Sequence, residues 1–344
     1  MKKSSSILKK NLISSLVFIL FVTIAFYFIF RENDIKEIIV IIKNSKQIYL
    51  LISVFCMALF SIFEASNLKI LLKLFGNKIN FRNAYKYALS GFFTASITPS
   101  SSGGDPMQFY LMTKDKIPVS HSAITLLTKL LVFQLVSILI SLFCFFTSYN
   151  FFNNSLGNIK FLIYLGIFLN FIVFTLYFLV IFFKPVIVSL TNLLCKVLNK
   201  FNYKKTSIVK EKIDNLVNEY QRAGNTLKEN KKVFIKVVLL TILQMLSYYS
   251  IPYFVYLALG FSEYSILTFI SIQSVLFISV SSLPFPGAVG ISELTFMRLY
   301  NHLYAKNILG SAMVITRFIN FYIFVLYSGI MMLILILKDN LYKK

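Results

Sequence analysis

The chain contains no tryptophan, two histidines and three cysteines, and only 13 acidic residues against 35 Lys and Arg in 344 positions. Each scarcity removes a class of function. Cys56, Cys144 and Cys195 stand far apart without C-x-x-C spacing, and His121 and His302 cannot complete a metal cluster with them. The cysteines read as apolar helix residues and the histidines as residues flanking apolar spans. No P-loop, Ser-His-Asp arrangement or metalloprotease motif is present. No cofactor or metal is therefore expected, and any transport has to run downhill or on an ion gradient. The net charge of +22 would suggest nucleic acid in a soluble chain. No nucleic-acid-binding motif accompanies it, and no direct nucleic-acid contact is expected.

What the chain has in abundance is apolar length. Hydrophobic residues make up 57%, and the mean hydropathy is +0.75. Runs of about 20 apolar residues, enough to cross a hydrocarbon core of about 30 Å, recur along it. They are long and lack strand-period alternation, so the reading is an all-α polytopic membrane protein and not a β-barrel. The Lys and Arg excess lies in short segments beside these runs, as the positive-inside rule and anionic headgroups favour. The 37 Phe and 20 Tyr read mostly as lipid-facing bulk and interface belt.

Six full crossings are expected: Leu12–Phe30, Ile48–Leu68, Val119–Thr147, Asn158–Phe183, Val237–Leu259 and Ile308–Leu337. The first follows a basic start but is too long for a signal-peptide core and lacks an A-x-A-like site, so it reads as an uncleaved span. Two further apolar stretches are broken. Residues 84–116 hold Tyr87–Thr98 and Met107–Met112 around Pro99-Ser-Ser-Ser-Gly-Gly-Asp-Pro106. Residues 264–305 hold Tyr264–Leu283 and Glu293–Tyr304 around Pro284-Phe-Pro-Gly-Ala-Val-Gly290. Both read as re-entrant hairpins. Tyr264–Leu283 is long enough to cross fully, but the basic tail argues for a cytoplasmic C-terminus. Both termini are then cytoplasmic.

The whole of 1–344 reads as a single integral membrane domain, with a first helical group (1–183) and a second (237–344). Between them, Lys184–Lys236 carries 12 Lys and Arg against 4 acids. Within it Val209, Ile213, Leu216, Val217, Tyr220, Ala223 and Leu227 fall on one helical face, which lies on the inner leaflet or against the bundle. The order span, hairpin, span occurs twice, with the hairpins opening on opposite sides. That is the layout of an inverted repeat with broken helices meeting near the midplane, although no residue-by-residue repeat is evident.

The breaks carry the strongest local signals. Gly103-Gly104-Asp105-Pro106 reads as a helix start, with Asp105 as N-cap and Pro106 at the first helical position. Placed inside a membrane, that helix start with Ser100, Ser101 and Ser102 offers donors to a lipid phosphate. Asp105 would repel phosphate and suits a cation, a proton or a nearby base. Gly287, Gly290, Ser292 and Glu293 mark a second such start, where an acid in the first turn is also favourable for backbone reasons alone. Ionisable residues within apolar segments are costly and rare. They are Glu64, Asp105, Lys129, Glu293, Arg298 and Arg317. Lys129 and Arg317 each follow a hairpin and are expected to pair with Asp105 and Glu293, in a structural or a functional ion pair. Glu64 and Arg298 are counted with Lys129 and Arg317 as intramembrane charge partners; for Glu64, near the end of its span, a place at the interface is the alternative.

The segment Gly91-Phe-Phe-Thr-Ala-Ser-Ile-Thr-Pro-Ser-Ser-Ser-Gly-Gly-Asp-Pro106 resembles the signature of the lysylphosphatidylglycerol synthase transmembrane family. Leu283-Pro-Phe-Pro-Gly-Ala-Val-Gly-Ile-Ser-Glu293 resembles its second Pro/Gly-rich motif. The resemblance spans nearly the whole chain. It implies a bacterial cytoplasmic membrane, an anionic or aminoacylated phospholipid such as lysylphosphatidylglycerol, and a link to cationic antimicrobial peptide resistance. In the family, a soluble domain transfers lysine from lysyl-tRNA to phosphatidylglycerol, and the membrane region moves the product to the outer leaflet. Seven residues follow Leu337, so the synthase domain is expected to be absent and a separate soluble synthase is a possible partner. The expectation is a lipid translocase or headgroup binder, with Ser100 to Asp105, Gly287, Gly290 and Glu293 at the headgroup. The alternative is a phosphatidylglycerol lysyltransferase, alone or with a catalytic partner.

Overall fold

A computed structural model describes residues 35–98, 101–148, 160–183, 185, 188–189, 206–283 and 285–341, and every regular element among them is helical. The expected first span, Leu12–Phe30, and Ser100 lie outside the described residues, as does most of 184–205. Five helical stretches are long and apolar enough to cross a membrane: Gln47–Leu74, Val119–Thr147, Lys160–Phe182, Lys231–Ala258 and Lys306–Leu335. They correspond to the other five expected crossings.

The short α1 (Ile35–Asn44) leads into α2 (Gln47–Leu74), whose 28 residues reach roughly 42 Å at the α-helical rise. The helix therefore outruns the hydrocarbon core and carries Lys69 and Lys73 beyond it. The first hairpin follows as α3 (Phe81–Ser96) and α4 (Gly104–Lys114). Lys86 Nζ and the Tyr87 hydroxyl latch its base by donating to Asp115 Oδ2 at 2.5 and 2.6 Å. Next come α5 (Val119–Thr147) and α6 (Lys160–Phe182). The amphipathic α7 (Thr206–Glu229) turns Tyr220, Ala223 and Leu227 into the bundle, and its Glu219 accepts from Ser120 of α5 at 2.8 Å. Of the two placements open to this face, these residues take the one against the bundle. Burial pushes the Tyr220 phenol pKa up.

The second group begins with α8 (Lys231–Tyr249) and α9 (Ile251–Ala258), one span bent where Pro252 opens the second piece. The second hairpin is α10 (Ile266–Val280) and α11 (Ile291–Leu299). At 15 residues, α10 is too short to cross a core that needs about 20. The last span is α12 (Lys306–Arg317), a π-helical turn (Phe318–Tyr322) and α13 (Ile323–Leu341).

The two groups are related by inversion. Along α2 the partners are Lys46 with Ala258, Cys56 with Ser250, Phe60 with Tyr248 and Asn67 with Thr241. Numbers rise on one helix as they fall on the other, so α2 and its counterpart α8–α9 run antiparallel. The packing also exchanges between halves. Helix α5 lies on α10 of the second hairpin, with Ser141 Oγ donating to the Ser274 carbonyl at 2.9 Å. Helix α13 lies on α3 of the first, with Phe92 and Phe324 rings 5.9 Å apart. Helix α6 lies outside this exchange and crosses α10 at Gly166, where a Cβ would stand 2.5 Å from the Ile278 carbonyl oxygen.

Candidate functional site

The two breaks end inside the bundle, and the second packs on α3 of the first hairpin. Each contains a non-glycine residue with left-handed backbone, Ser101 (φ 55) and Ala288 (φ 53). That conformation costs roughly 1–2 kcal/mol per residue, so the surrounding packing must hold each turn in place. In the first hairpin the two helices approach closely because Gly91 and Gly104 face each other. A Cβ on Gly104 would lie 2.9 Å from the Gly91 carbonyl oxygen.

Gly103, not Asp105, is the N-cap of α4, and no side chain caps that helix. The expected capping role of Asp105 is corrected on this point. Its carboxylate instead accepts from Lys129 Nζ at 2.8 Å. Lys129 also donates to Glu64 Oε1 at 3.2 Å and to Gln108 Oε1 at 2.9 Å, while Gln108 Nε2 donates to Glu64 at 2.9 Å. Three helices, α2, α4 and α5, thus meet at a single ammonium. Of its two expected placements Glu64 takes the one beside Lys129 and not the interface, because α2 runs six residues past Leu68 and moves its middle towards Glu64.

In the second hairpin Glu293 is the third residue of α11. Its Oε2 accepts from the Gly290 N–H at 2.7 Å and the Ser292 hydroxyl at 2.8 Å, and its Oε1 from Arg317 Nε at 2.7 Å. Arg317 Nη2 also donates to the Gly287 carbonyl at 3.1 Å, and the guanidinium lies 4.8 Å from the Phe321 ring centre. Gly287 is required here. Its φ is +57, and a Cβ would stand 2.3 Å from Phe321 Cζ. Arg298 does not join this group. It is exposed in the last turn of α11 and ion-pairs with no described residue, so its expected role as an intramembrane charge partner is corrected.

Between the hairpins lies a cavity of about 690 Å³, lined by Glu64, Ser101, Ser102, Gly104, Asp105 and Lys129 from the first half. Gly287, Ala288, Ser292 and Arg317 line it from the second. Gly290 and Glu293 stand behind this wall and hold its turn. Sequence reasoning missed the neutral polar lining: Gln108, Gln134, Asn170, Gln244, Gln273 and Asn320. The available signal was compositional. The chain has six glutamines, and four of them line the cavity although they lie within apolar helices.

Five helical stretches long and apolar enough to cross a membrane, with two broken hairpins around a charged interior cavity, define an all-α polytopic membrane protein. The family model for the lysylphosphatidylglycerol synthase TM region matches residues 12–328, and the chain belongs to that family. A UPF0104 membrane protein of Archaeoglobus fulgidus is 25% identical over 319 residues, which cover 92% of this chain and 95% of that protein.

Proposed function

We propose that this chain is a lipid translocase of the cytoplasmic membrane that takes an anionic or aminoacylated phospholipid headgroup into the cavity between its hairpins. The observation that carries the reading is the convergence of two inverted helix starts, each with its own acid–base pair, on one cavity. A polar headgroup needs such a lining to leave water, because charge inside hydrocarbon is costly unless matched. Donors for a phosphate are Ser101, Ser102 and the start of α4, with Lys129 and Arg317 as the positive charges. Glu64 and Asp105 on one ammonium leave an excess carboxylate for a cationic headgroup group or a proton. By this reading both termini are cytoplasmic, and a separate synthase, where one exists, delivers the lipid.

The test is exchange of headgroup-labelled lipid in proteoliposomes, wild type against Asp105→Asn. Exchange of phosphatidylglycerol or its lysyl form, reduced at least tenfold in the variant, is the expected result. No exchange of either lipid by the wild type rejects translocation. Formation of lysyl-lipid by the purified chain with lysyl-tRNA would establish a lysyltransferase instead.

A further inference from the structure

The charges in the cavity are answered within the protein: Lys129 by Glu64 and Asp105, Arg317 by Glu293. What the cavity leaves unanswered is neutral. Gln244 is 3% exposed, lines the cavity and hydrogen-bonds to no described residue. Asn320, also 3% exposed, has an unpartnered Oδ1, and the neighbouring Thr316, 1% exposed, has an unpartnered Oγ1. Gln273 accepts from the Tyr300 hydroxyl at 2.9 Å, and its Nε2 donates to no described residue. All four side chains line the same cavity. An unsatisfied buried polar group is unfavourable, so each such group needs an explanation. Lining the cavity is not enough to leave an amide unpaired. Gln108, Gln134 and Asn170 also line it, and each is held by protein partners.

We infer that Gln244, Gln273, Asn320 and Thr316 recognise a hydroxyl-rich headgroup, a glycosyl or polyol group carried by the lipid. The inference rests on the translocase reading and names the part of the headgroup that its charges leave unspecified. The argument is one of hydrogen-bond type. A phosphate accepts only, and an ammonium donates only. The open groups are the Gln273 N–H₂ as donor and both ends of Gln244, with the buried Asn320 carbonyl oxygen and Thr316 hydroxyl unpartnered beside them. A hydroxyl donates and accepts, so a polyhydroxylated ligand satisfies the mixed set with one kind of neutral group. The remaining wall fits the same ligand, because the rings of Phe60, Tyr248, Phe277 and Phe321 offer flat apolar faces to the C–H side of a sugar ring. The π turn Phe318–Tyr322 follows directly after Arg317, and such irregular turns recur at ligand sites.

The experiment is equilibrium binding to the full chain in detergent by native mass spectrometry. The probes are phosphatidic acid, phosphatidylglycerol and phosphatidylinositol, in order of rising hydroxyl content. Wild-type affinity is expected to rise along the series. Gln244→Leu and Asn320→Leu should each lower phosphatidylinositol affinity about tenfold and leave phosphatidic acid binding unchanged. Neither variant should lower the unfolding temperature, because neither side chain hydrogen-bonds to a described residue. A merely structural role would lower it. Gln244→Glu, of the same shape, guards against a folding artefact. Competition by free inositol phosphate would identify a soluble polyol as the ligand, with the hydroxyl recognition intact. Equal affinity along the series, or a series unaltered by the variants, overturns the inference while leaving lipid binding in place. No binding of any of the three lipids removes the translocase reading as well.

Discussion

Phe60 and Tyr248 face each other with ring centroids 5.5 Å apart, and 188 positions separate them in the chain. The same interval separates Asp105 from Glu293 and Lys129 from Arg317. Under that register Phe60 and Tyr248 exchange places, so their contact marks the pseudo-two-fold axis between the halves. Both rings line the cavity, which therefore lies on the axis. The symmetry covers the backbone and the ion pairs but not every charge. The position matching Glu64 is Pro252, so Lys129 meets two carboxylates and Arg317 only one.

Inversion sets the access of each break. In a background with Cys56, Cys144 and Cys195 replaced, Ser101→Cys and Ala288→Cys should react with a membrane-impermeant thiol reagent from opposite sides. Labelling of both from one side would contradict the antiparallel relation of the halves.

Lys129→Met leaves the partly buried Glu64 and Asp105 without their cation. Breaking a buried pair from one side costs about 3–5 kcal/mol, so a marked drop in unfolding temperature is expected in detergent. Adding Glu64→Gln and Asp105→Asn should recover most of that stability. Wild-type stability in Lys129→Met alone would show that the cluster does not support the fold.

At Gly91 the new Cβ of an alanine would stand 2.2 Å from Gln108 Nε2. Gln108 must swing away and abandon Glu64 and Lys129, and overpacking of this kind costs about 1–3 kcal/mol. Gly91→Ala with Gln108→Ala should regain part of the loss. A double-mutant cycle that shows no coupling would refute the contact.

Gly166→Ala presses on backbone, the Ile278 carbonyl and Ser279 Cα, at 2.5 and 2.6 Å. No side chain can rotate aside, so α6 must separate from α10, and the folded yield should fall sharply. Gly224→Ala is the control, since its nearest neighbour would lie at 3.4 Å and little change is expected. Equal behaviour of the two variants would argue against a close α6–α10 crossing.

Composition and local pattern determined a good deal by themselves. Apolar runs long enough to cross a bilayer have no soluble alternative, so the class and the five described spans were legible. The Pro and Gly clusters at 99–106 and 284–290 cannot continue a helix, so both breaks were legible too. Tertiary structure alone decided the rest. Glu64 joins Lys129 only because α2, α4 and α5 converge, and Asp105 is freed from capping because the helix begins at Gly104 after Gly103, which turns its carboxylate over to Lys129. The repeat register escaped the sequence because side chains facing lipid diverge freely once their hydrophobicity is kept. The open carboxamides of Gln244 and Asn320 were invisible for a simpler reason. A glutamine within an apolar run reads the same whether a neighbour satisfies it or a cavity leaves it free, and only packing distinguishes the two.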